Sequence, residues 1–178
     1  IHALAQETDS CNATISLPSL RIDAFAKDYM KDAENARKAG LTLAPEAGTQ
    51  RLRDVINKNV TEADLENSVR SAFQAGWDRV KLYFMIGLPT ETDEDLEGIA
   101  HLARKVIDVY RELPKEQRRR KVQVTVSTSS FVPKPDTPFQ WCAQDTMDTL
   151  MEKQKKLRSL LRIPGVTYHY HDAKLSLL

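Results

Sequence analysis

The run RVKLYFMI at positions 79–86, followed at once by the loop GLPTET, constrains the fold of this chain more than any other feature. After Lys81 the run is almost continuously apolar, and a short apolar run bounded by turn residues predicts a strand buried on both faces. Thr92 then caps a long helix with apolar residues at helical spacing, which ends at Pro114. A buried strand that leads into such a helix is typical of a parallel α/β sheet.

The same alternation of strand and helix recurs along the chain. The order β-α-β-α-α-β-α-β-α-β predicts parallel strands joined by right-handed helical crossovers. A full eight-fold βα barrel takes about 250 residues, whereas this chain has 178. We therefore predict one α/β domain over residues 1–178, a partial (half) TIM-type barrel with outer helices. The further strands are expected at 12–20, 41–44, 121–127 and 166–170, and the further helices at 22–38, from Gln50, from Thr61 and at 146–162. The apolar face of the last helix is predicted to consist of Met147, Leu150, Met151, Leu157, Leu160 and Leu161.

Composition excludes several classes of protein. Hydrophobic residues make up 41% of the chain, charged residues 29%, and the formal net charge is +1, so nothing draws it to nucleic acid or to an anionic membrane. No apolar run approaches the length of a membrane span, and the first residues lack a signal peptide. Cys11 and Cys142 are predicted to be free thiols of a cytoplasmic protein, and they cannot alone supply a metal cluster.

Ligands of parallel α/β folds meet the carboxyl ends of the strands. In the loop LAPEAGTQR, Glu46 lies just past a strand, beside Gly48 and before the start of a helix. A carboxylate in that place can accept hydrogen bonds from ribose hydroxyls or from an amino group. It can equally do no more than stabilise the dipole of the following helix. Position alone leaves the two interpretations level.

The loop MIGLPTET is the second candidate. Gly87 has no Cβ and lets the backbone approach a ligand closely, while Pro89 stiffens the loop. Glu91 suits the dipole of the helix that Thr92 opens. An ordinary connection between strand and helix explains the same residues.

The loop SSFVPKPDTPFQW is the third candidate. Its small polar residues and three prolines can line a pocket. They also fit a rigid surface loop packed by Phe131, Phe139 and Trp141. Both interpretations remain open at this point.

Two further patterns favour a structural interpretation. His169 and His171 are two apart on a predicted strand and therefore face the same way, but no third metal ligand is evident. The basic run from Arg118 to Lys121 can touch phosphates, although such runs are more often solvated loops, and Glu112 and Glu116 dilute its charge.

Three strings together resemble a known family. LTLAPEAGTQRLRDVINKNVTEADL, KLYFMIGLPTETDEDLEGI and VSTSSFVPKPDTPFQW stand in the order and at the spacing of radical S-adenosylmethionine (SAM) enzymes. The resemblance covers about residues 40–141, and ISLPSLRID extends it toward the N-terminus. It is closest to a radical SAM group whose barrel follows a cobalamin-binding-type N-terminal domain, and it extends to the methylthiotransferases.

The resemblance implies roles for these loops. LTLAPEAG would be the fourth barrel strand, whose loop contacts the ribose or methionine part of SAM; MIGLPTET would be the fifth, which flanks adenine; and VTVSTSSFVPKP would be the sixth, which offers backbone groups to adenine. ISLPSLR would be the third strand, on the substrate side. The implied cofactor-binding residues are Glu46, Ile86, Gly87, Leu88, Pro89 and Glu91.

The chain also departs from the family pattern. It has neither the CxxxCxxC motif that binds the 4Fe-4S cluster nor the acidic glycine motif that holds the SAM amino group. We expect both upstream of Ile1 in a longer parent, where SAM and the cluster would generate a 5′-deoxyadenosyl radical that takes a hydrogen atom from an unidentified substrate. The fragment itself is expected to bind neither cofactor and to be inactive.

Two other functions remain open from the sequence: a phosphate- or nucleotide-binding barrel fragment, since helix N-termini favour anions, and a non-catalytic interaction module. In either case half a barrel leaves unpaired strand edges and an apolar sheet face that upstream strands should cover. We therefore also expect the fragment to self-associate, as a homo-oligomer closed through these edges. Nucleic acid is not an expected partner.

Overall fold

The computed structural model describes residues 40–118 and 120–175. The strand predicted at 12–20, the helix predicted at 22–38 and Cys11 lie outside these ranges. Within them, every strand and helix predicted from the sequence is present. The elements are β1 (Leu41–Glu46), α1 (Gln50–Val55), α2 (Glu62–Gln74), β2 (Arg79–Ile86), α3 (Asp93–Glu112), β3 (Gln123–Ser130), α4 (Met147–Leu160), β4 (Val166–Tyr170) and a 3-10 turn (Ala173–Leu175).

The four strands form one parallel sheet in the order β1-β2-β3-β4. Consecutive strands are therefore spatial neighbours, each pair joined through helix, as in a segment of a TIM-type barrel. The pairing of β2 with β3 runs without interruption from Arg79↔Gln123 to Ile86↔Ser130. The pairing of β1 with β2 becomes irregular between Leu43 and Glu46, at the carboxyl end.

The main core lies on one face of the sheet. In β2, alternate residues are buried beneath the helices, while Lys81, Tyr83 and Met85 on the other face are half-buried. The prediction that this strand is buried on both faces is therefore wrong, because α2, α3 and α4 contribute to the main core on one face only. The opposite face, which we call the inner face, carries Lys81 and Ser127 and is mostly polar. The prediction that the second face of the sheet is apolar is thus also wrong.

Local sequence signals fix the helix starts. Thr61 and Asp64 form a reciprocal capping box: the Thr61 hydroxyl accepts from the Asp64 amide at 3.1 Å, and Asp64 accepts from the Thr61 amide at 2.9 Å. On α3, Asp95 likewise accepts from the Thr92 amide at 2.8 Å, and it also accepts from the Thr92 hydroxyl at 2.9 Å. On α4, however, Met151 does not join the predicted apolar face and is 53% exposed. Of the helices within the described ranges, none has the length and apolar character of a bilayer span.

Candidate functional site

The carboxyl ends of β1, β2 and β3 lie side by side at one edge of the sheet. Glu46 ends β1, Ile86 ends β2 and pairs with Ser130 at the end of β3. The three candidate loops of the sequence therefore start from one edge, as parallel pairing requires. We call this region the carboxyl edge.

Glu46 ends β1 because its backbone turns into the left-handed region, with φ of 70°. A non-glycine residue adopts that conformation at a cost of about 1–2 kcal/mol, and it interrupts the extended chain. The side chain stays partly accessible, with 27% exposed, and its Oε1 lies 3.4 Å from the Lys58 ammonium. Glu46 thus presents a carboxylate at the carboxyl edge with one cation beside it.

The loop after β2 is a closed turn. Gly87 has φ of 76° and Thr90 has φ of 66°. The Gly87 amide donates to Glu91 Oε2 at 2.8 Å, and the Glu91 amide donates to the Leu88 carbonyl at 3.0 Å. A glycine adopts the left-handed conformation without strain, which explains the residue type at position 87.

The Glu91 carboxylate lies beneath this turn and is 2% exposed. Lys153 of α4 donates to Glu91 at 2.7 Å and to Asp145 at 2.6 Å. Burial raises the pKa of Glu91, although its hydrogen bonds from Lys153 and Gly87 oppose the rise. Burial works against the charged form of Lys153, but its bonds to Asp145 and Glu91 prevail and raise the pKa of Lys153. Glu91 is thus placed to hold the turn rather than to face solvent.

The other predicted residues of this loop lie in different surroundings. The Ile86 side chain is fully buried in the main core, and its carbonyl accepts from the Phe131 amide at 2.8 Å. Leu88 is buried in a small apolar cluster at the carboxyl edge, and Pro89 is half-buried. That cluster, the edge cluster, consists of Ala47, Leu52, Leu88 and Phe131.

Asp95 ties the loops after β1 and β2 together. Its side chain is 1% exposed and accepts from the Thr49 and Thr92 hydroxyls, the Thr92 amide and Arg51, which also donates to the Thr90 carbonyl at 2.9 Å. Burial alone would raise the pKa of Asp95, but these hydrogen bonds outweigh it and hold the pKa below its usual value. Arg51 and Thr49 precede Asp95 by more than forty positions, so the carboxylate connects two separate βα units.

A contact between backbones lies next to Asp95. A Cβ placed on Gly48 would lie 2.0 Å from the Asp95 carbonyl oxygen, and one on Gly98 would lie 2.7 Å from the Gly48 carbonyl oxygen. The first two turns of α3 therefore pack directly on the loop after β1. Arg53 reinforces that loop from within, because its buried guanidinium donates to the Ala47 carbonyl at 3.0 Å.

Ser130 is a polar group at the carboxyl edge that has no partner. Its Oγ is buried and makes no hydrogen bond to any part of the chain that the structure describes. A buried hydroxyl without a partner costs about 1–3 kcal/mol and is therefore a position where a ligand can supply the missing bond. It lies next to Ile86 in the sheet register and precedes Phe131 of the edge cluster.

Comparison with known proteins decides the family. The model of the radical SAM superfamily matches residues 2–103, more than half of the chain. This chain belongs to the radical SAM superfamily. A relative, an uncharacterized protein of Methanocaldococcus jannaschii, is 36% identical over 164 residues. The match covers 92% of this chain and 33% of the relative, so the chain spans about a third of the length of the curated relative. The family predicted from the three strings is confirmed.

Within this radical SAM chain, sequence reasoning missed Lys153, Asp145, Asp95 and Ser130. Asp95 carried a signal, because an acid three residues after a capping Thr predicts a capping box. Lys153 carried none, since it lies 62 positions from its partner Glu91 on a helix rich in lysine.

The structure gives no support to His169 and His171 as a metal site or to the basic run from Arg118 to Lys121 as a phosphate site. Across residues 40–118 and 120–175 there is no group of three or more His, Cys, Asp or Glu that can hold a metal ion. His171 lies just past β4 and donates its amide to the Thr128 carbonyl at 3.0 Å. In the basic run, Arg120 lies 3.7 Å from Asp78.

Proposed function

We propose that this chain forms the SAM-binding edge of a radical SAM enzyme, with the adenosine of SAM lying across the carboxyl ends of β1, β2 and β3. The observation that carries the proposal is the turn at Gly87, clamped by Glu91, next to the buried and unpartnered Ser130 hydroxyl. This juxtaposition occurs in a chain that belongs to a SAM-using superfamily.

The chemistry of this edge suits adenine. A purine offers a flat apolar face and a polar rim. Leu88 and Phe131 of the edge cluster supply apolar surface, and the Ser130 hydroxyl can donate to or accept from the rim. In this proposal Gly87, Leu88 and Pro89 contact the cofactor through the backbone or apolar surface. Ile86 and Glu91 hold the turn from below, because the Ile86 side chain lies in the main core and the Glu91 carboxylate binds the Gly87 amide and Lys153.

Glu46 is the proposed partner of the ribose or methionine part. Its accessible carboxylate ends β1, the strand next to the Gly87 turn, and can accept hydrogen bonds from ribose hydroxyls or from the amino group. Lys58 donates to that carboxylate at 3.4 Å and helps to orient it. Of the two interpretations of Glu46, we therefore propose the one in which its carboxylate binds the cofactor.

The residues of this chain do not fit a 4Fe-4S cluster. Such a cluster needs three or four cysteine thiolates, and the sequence has only Cys11 and Cys142, with no CxxxCxxC motif. Cys142 is the single cysteine within the described ranges. We therefore propose that the cluster ligands come from outside this sequence and that the 178 residues alone are inactive. When bound, SAM and the cluster supply the radical chemistry of the family.

Anaerobic reconstitution tests this part of the proposal. The chain is incubated with iron and sulfide under reducing conditions, desalted, and assayed for bound iron, sulfide and cluster absorption. We expect none of these above the level of a Cys142→Ser variant. Stoichiometric uptake of a 4Fe-4S cluster would overturn the assignment.

A titration with SAM tests the binding edge. We expect amide NMR shifts of the chain to change saturably at Gly87, Leu88, Ser130 and Phe131, with millimolar or weaker affinity for an incomplete site. Gly87→Ala should abolish the response, because alanine strains the left-handed turn and its Cβ lies 3.0 Å from Asp145 Oδ2.

A matched variant separates binding from backbone strain. Gly165 also has a left-handed backbone, with φ of 90°, but it immediately precedes β4, at the opposite end of the sheet. Gly165→Ala carries comparable strain and should retain the SAM response. Shift changes confined to other surfaces, or equal loss in both variants, would contradict the proposal.

A further inference from the structure

The inner face of the sheet carries a row of polar side chains in register. Tyr83 of β2 pairs with Ser127 of β3, and Ser127 pairs with His169 of β4. All three belong to the face opposite the main core, because alternate residues of a strand point to opposite sides. Adjacent strands lie about 4.8 Å apart, so this row spans about 10 Å, the width of a small molecule.

Lys81 extends its charge toward this row. It lies two residues before Tyr83 on the same strand, and its ammonium lies 4.5 Å from the centroid of the Tyr83 ring. The side chain therefore follows the inner face toward the carboxyl edge. The ammonium thus lies over the ring of Tyr83, whose register neighbours in that row are Ser127 and, one strand further, His169.

None of these groups has a conventional polar partner within residues 40–118 and 120–175. Lys81 forms no ion pair there, and the Tyr83, Ser127 and His169 side chains form no hydrogen bonds. Lys81 differs in this from the other half-buried lysines that the structure describes. Each of those lies within 4.0 Å of at least one carboxylate: Lys58, Lys105, Lys153 and Lys156.

The charged side chains of the inner face are mostly positive. Arg79 and Lys81 are its cations on β2. Its one acid on the described strands is Glu46, at the carboxyl edge, and Glu46 already has Lys58 at 3.4 Å. A half-buried ammonium without a counter-charge is unfavourable in proportion to its burial. An anion placed on the inner face would relieve that cost.

We propose that the inner face binds the anionic group, carboxylate or phosphate, of a small-molecule substrate, with Lys81 as the cation and Tyr83, Ser127 and His169 as hydrogen-bonding partners. The inference rests on the proposed function only in naming the anion as substrate. The site is separate from the carboxyl edge assigned to SAM. Charge complementarity favours this occupant over a closely packed strand, which would bury the Lys81 ammonium without a partner.

Anion titrations of the chain provide the test. Inorganic pyrophosphate and succinate are titrated at constant ionic strength, and amide NMR shifts are followed. We expect saturable changes at Tyr83, Ser127 and His169. Lys81→Gln should weaken the binding about tenfold or more, the value of a charge-assisted hydrogen bond. Tyr83→Phe keeps the ring under the ammonium and removes one hydroxyl, so its effect should be smaller.

Lys115→Gln is the matched control, because Lys115 is an exposed lysine in the loop after α3. It should bind both anions as the unaltered chain does. Tighter binding of pyrophosphate identifies a phosphate as the substrate group, and tighter binding of succinate identifies a carboxylate. Absence of saturable binding, unchanged binding in Lys81→Gln, or equal loss in Lys115→Gln would overturn the site.

The SAM titration distinguishes a failure of the inner-face anion site from a failure of the proposed SAM-binding function. Lys81→Gln should retain the SAM response at Gly87 while losing the anion response. If the chain bound anions but not SAM at the carboxyl edge, the inner-face site would stand and the SAM assignment would fail. Thermal unfolding of each variant checks that the fold is retained.

Discussion

One oxygen of Glu91 accepts both the Gly87 amide, at 2.8 Å, and the Lys153 ammonium, at 2.7 Å. The helix after β3 is thereby connected to the turn after β2, across 62 positions of sequence. Asp145 holds the other side of the ammonium at 2.6 Å. The conformation of the proposed adenine turn therefore depends on a charge supplied by α4.

We first predict that Lys153→Met destabilises the chain in a pH-dependent way. Because burial already raises the pKa of Glu91, loss of the ammonium raises it further. A carboxyl whose folded pKa exceeds its unfolded value loses stability as pH rises from the unfolded pKa toward the folded one. Below pH 4.5, the pKa of Glu91 in the unfolded chain, the free energy of unfolding of the variant should differ little from that of the unaltered chain. Near neutral pH it should be lower by about 2–4 kcal/mol. Urea unfolding across pH measures this.

The double variant Glu91→Gln/Lys153→Met is its control. It removes the buried charge together with its partner, so it should recover much of the lost stability at neutral pH. The Gly87 amide can still donate to the glutamine oxygen. A double variant as unstable as Lys153→Met alone would show that the lysine acts through Asp145 and not through Glu91.

The sequence predicted what depends on near neighbours along the chain. The caps at Thr61 and Thr92 were predictable because a capping box is a signal between residues three positions apart. The pair of Glu91 with Lys153 was not, because no local pattern marks a lysine of α4 as the partner of a distant loop.

The errors in burial have a related cause. Tyr83 and Met85 count as apolar residues, so they hid the two-residue alternation of β2 and made the strand look buried on both faces. Met151 was assigned to the apolar face of α4 for the same reason. The buried residues of that helix are Leu150, Gln154 and Leu157, and one of them is polar. Residue type alone could not show which apolar side chains the sheet covers.

A second prediction concerns Asp95. Its hydrogen bonds hold the pKa below 3.8 in the folded chain. A carboxyl with a depressed folded pKa contributes stability above its unfolded pKa and loses it as pH falls through the folded value. Asp95→Asn should lower the free energy of unfolding by about 2–4 kcal/mol at neutral pH. It should also reduce the loss of stability that the chain shows as pH falls.

The loss of stability at acid pH is measured by chemical unfolding from neutral pH downward. Asp108→Asn is the comparison, because Asp108 is 57% exposed and pairs with Arg111 at 3.1 Å on the surface of α3. A surface ion pair contributes about 1 kcal/mol or less to stability. The stability of this variant should therefore fall at acid pH as it does in the unaltered chain. Identical profiles for the two variants would rule out Asp95 as the tie between the loops.

Self-association through the edge of the sheet is a third prediction. Among the described strands, β4 has a neighbour on one side only, and its Thr167 and His169 are exposed. An exposed edge strand is a template for pairing with another chain. We expect dimers at micromolar concentration by light scattering, and Thr167→Lys should shift them to monomers because a charge on an edge strand opposes pairing. A monomer at these concentrations before any substitution would refute the prediction.

The contact between Gly48 and α3 gives the last prediction. An alanine Cβ at position 48 would lie 2.0 Å from the Asp95 carbonyl oxygen and 2.5 Å from the Ile99 nitrogen, and neither backbone atom can move without displacing the helix. Gly48→Ala should therefore cost about 3 kcal/mol or more, and α3 must withdraw from the loop after β1.

Gly40→Ala is the matched substitution. Its Cβ meets nothing closer than 3.7 Å, and its backbone is not left-handed. Alanine there should be neutral or stabilise the chain by about 0.4–1 kcal/mol, because it restricts the unfolded state. Denaturant unfolding of the two variants compares them directly. Because Asp95 lies in the same contact, Gly48→Ala should also reduce the acid dependence that Asp95 confers, whereas Gly40→Ala should leave it unchanged.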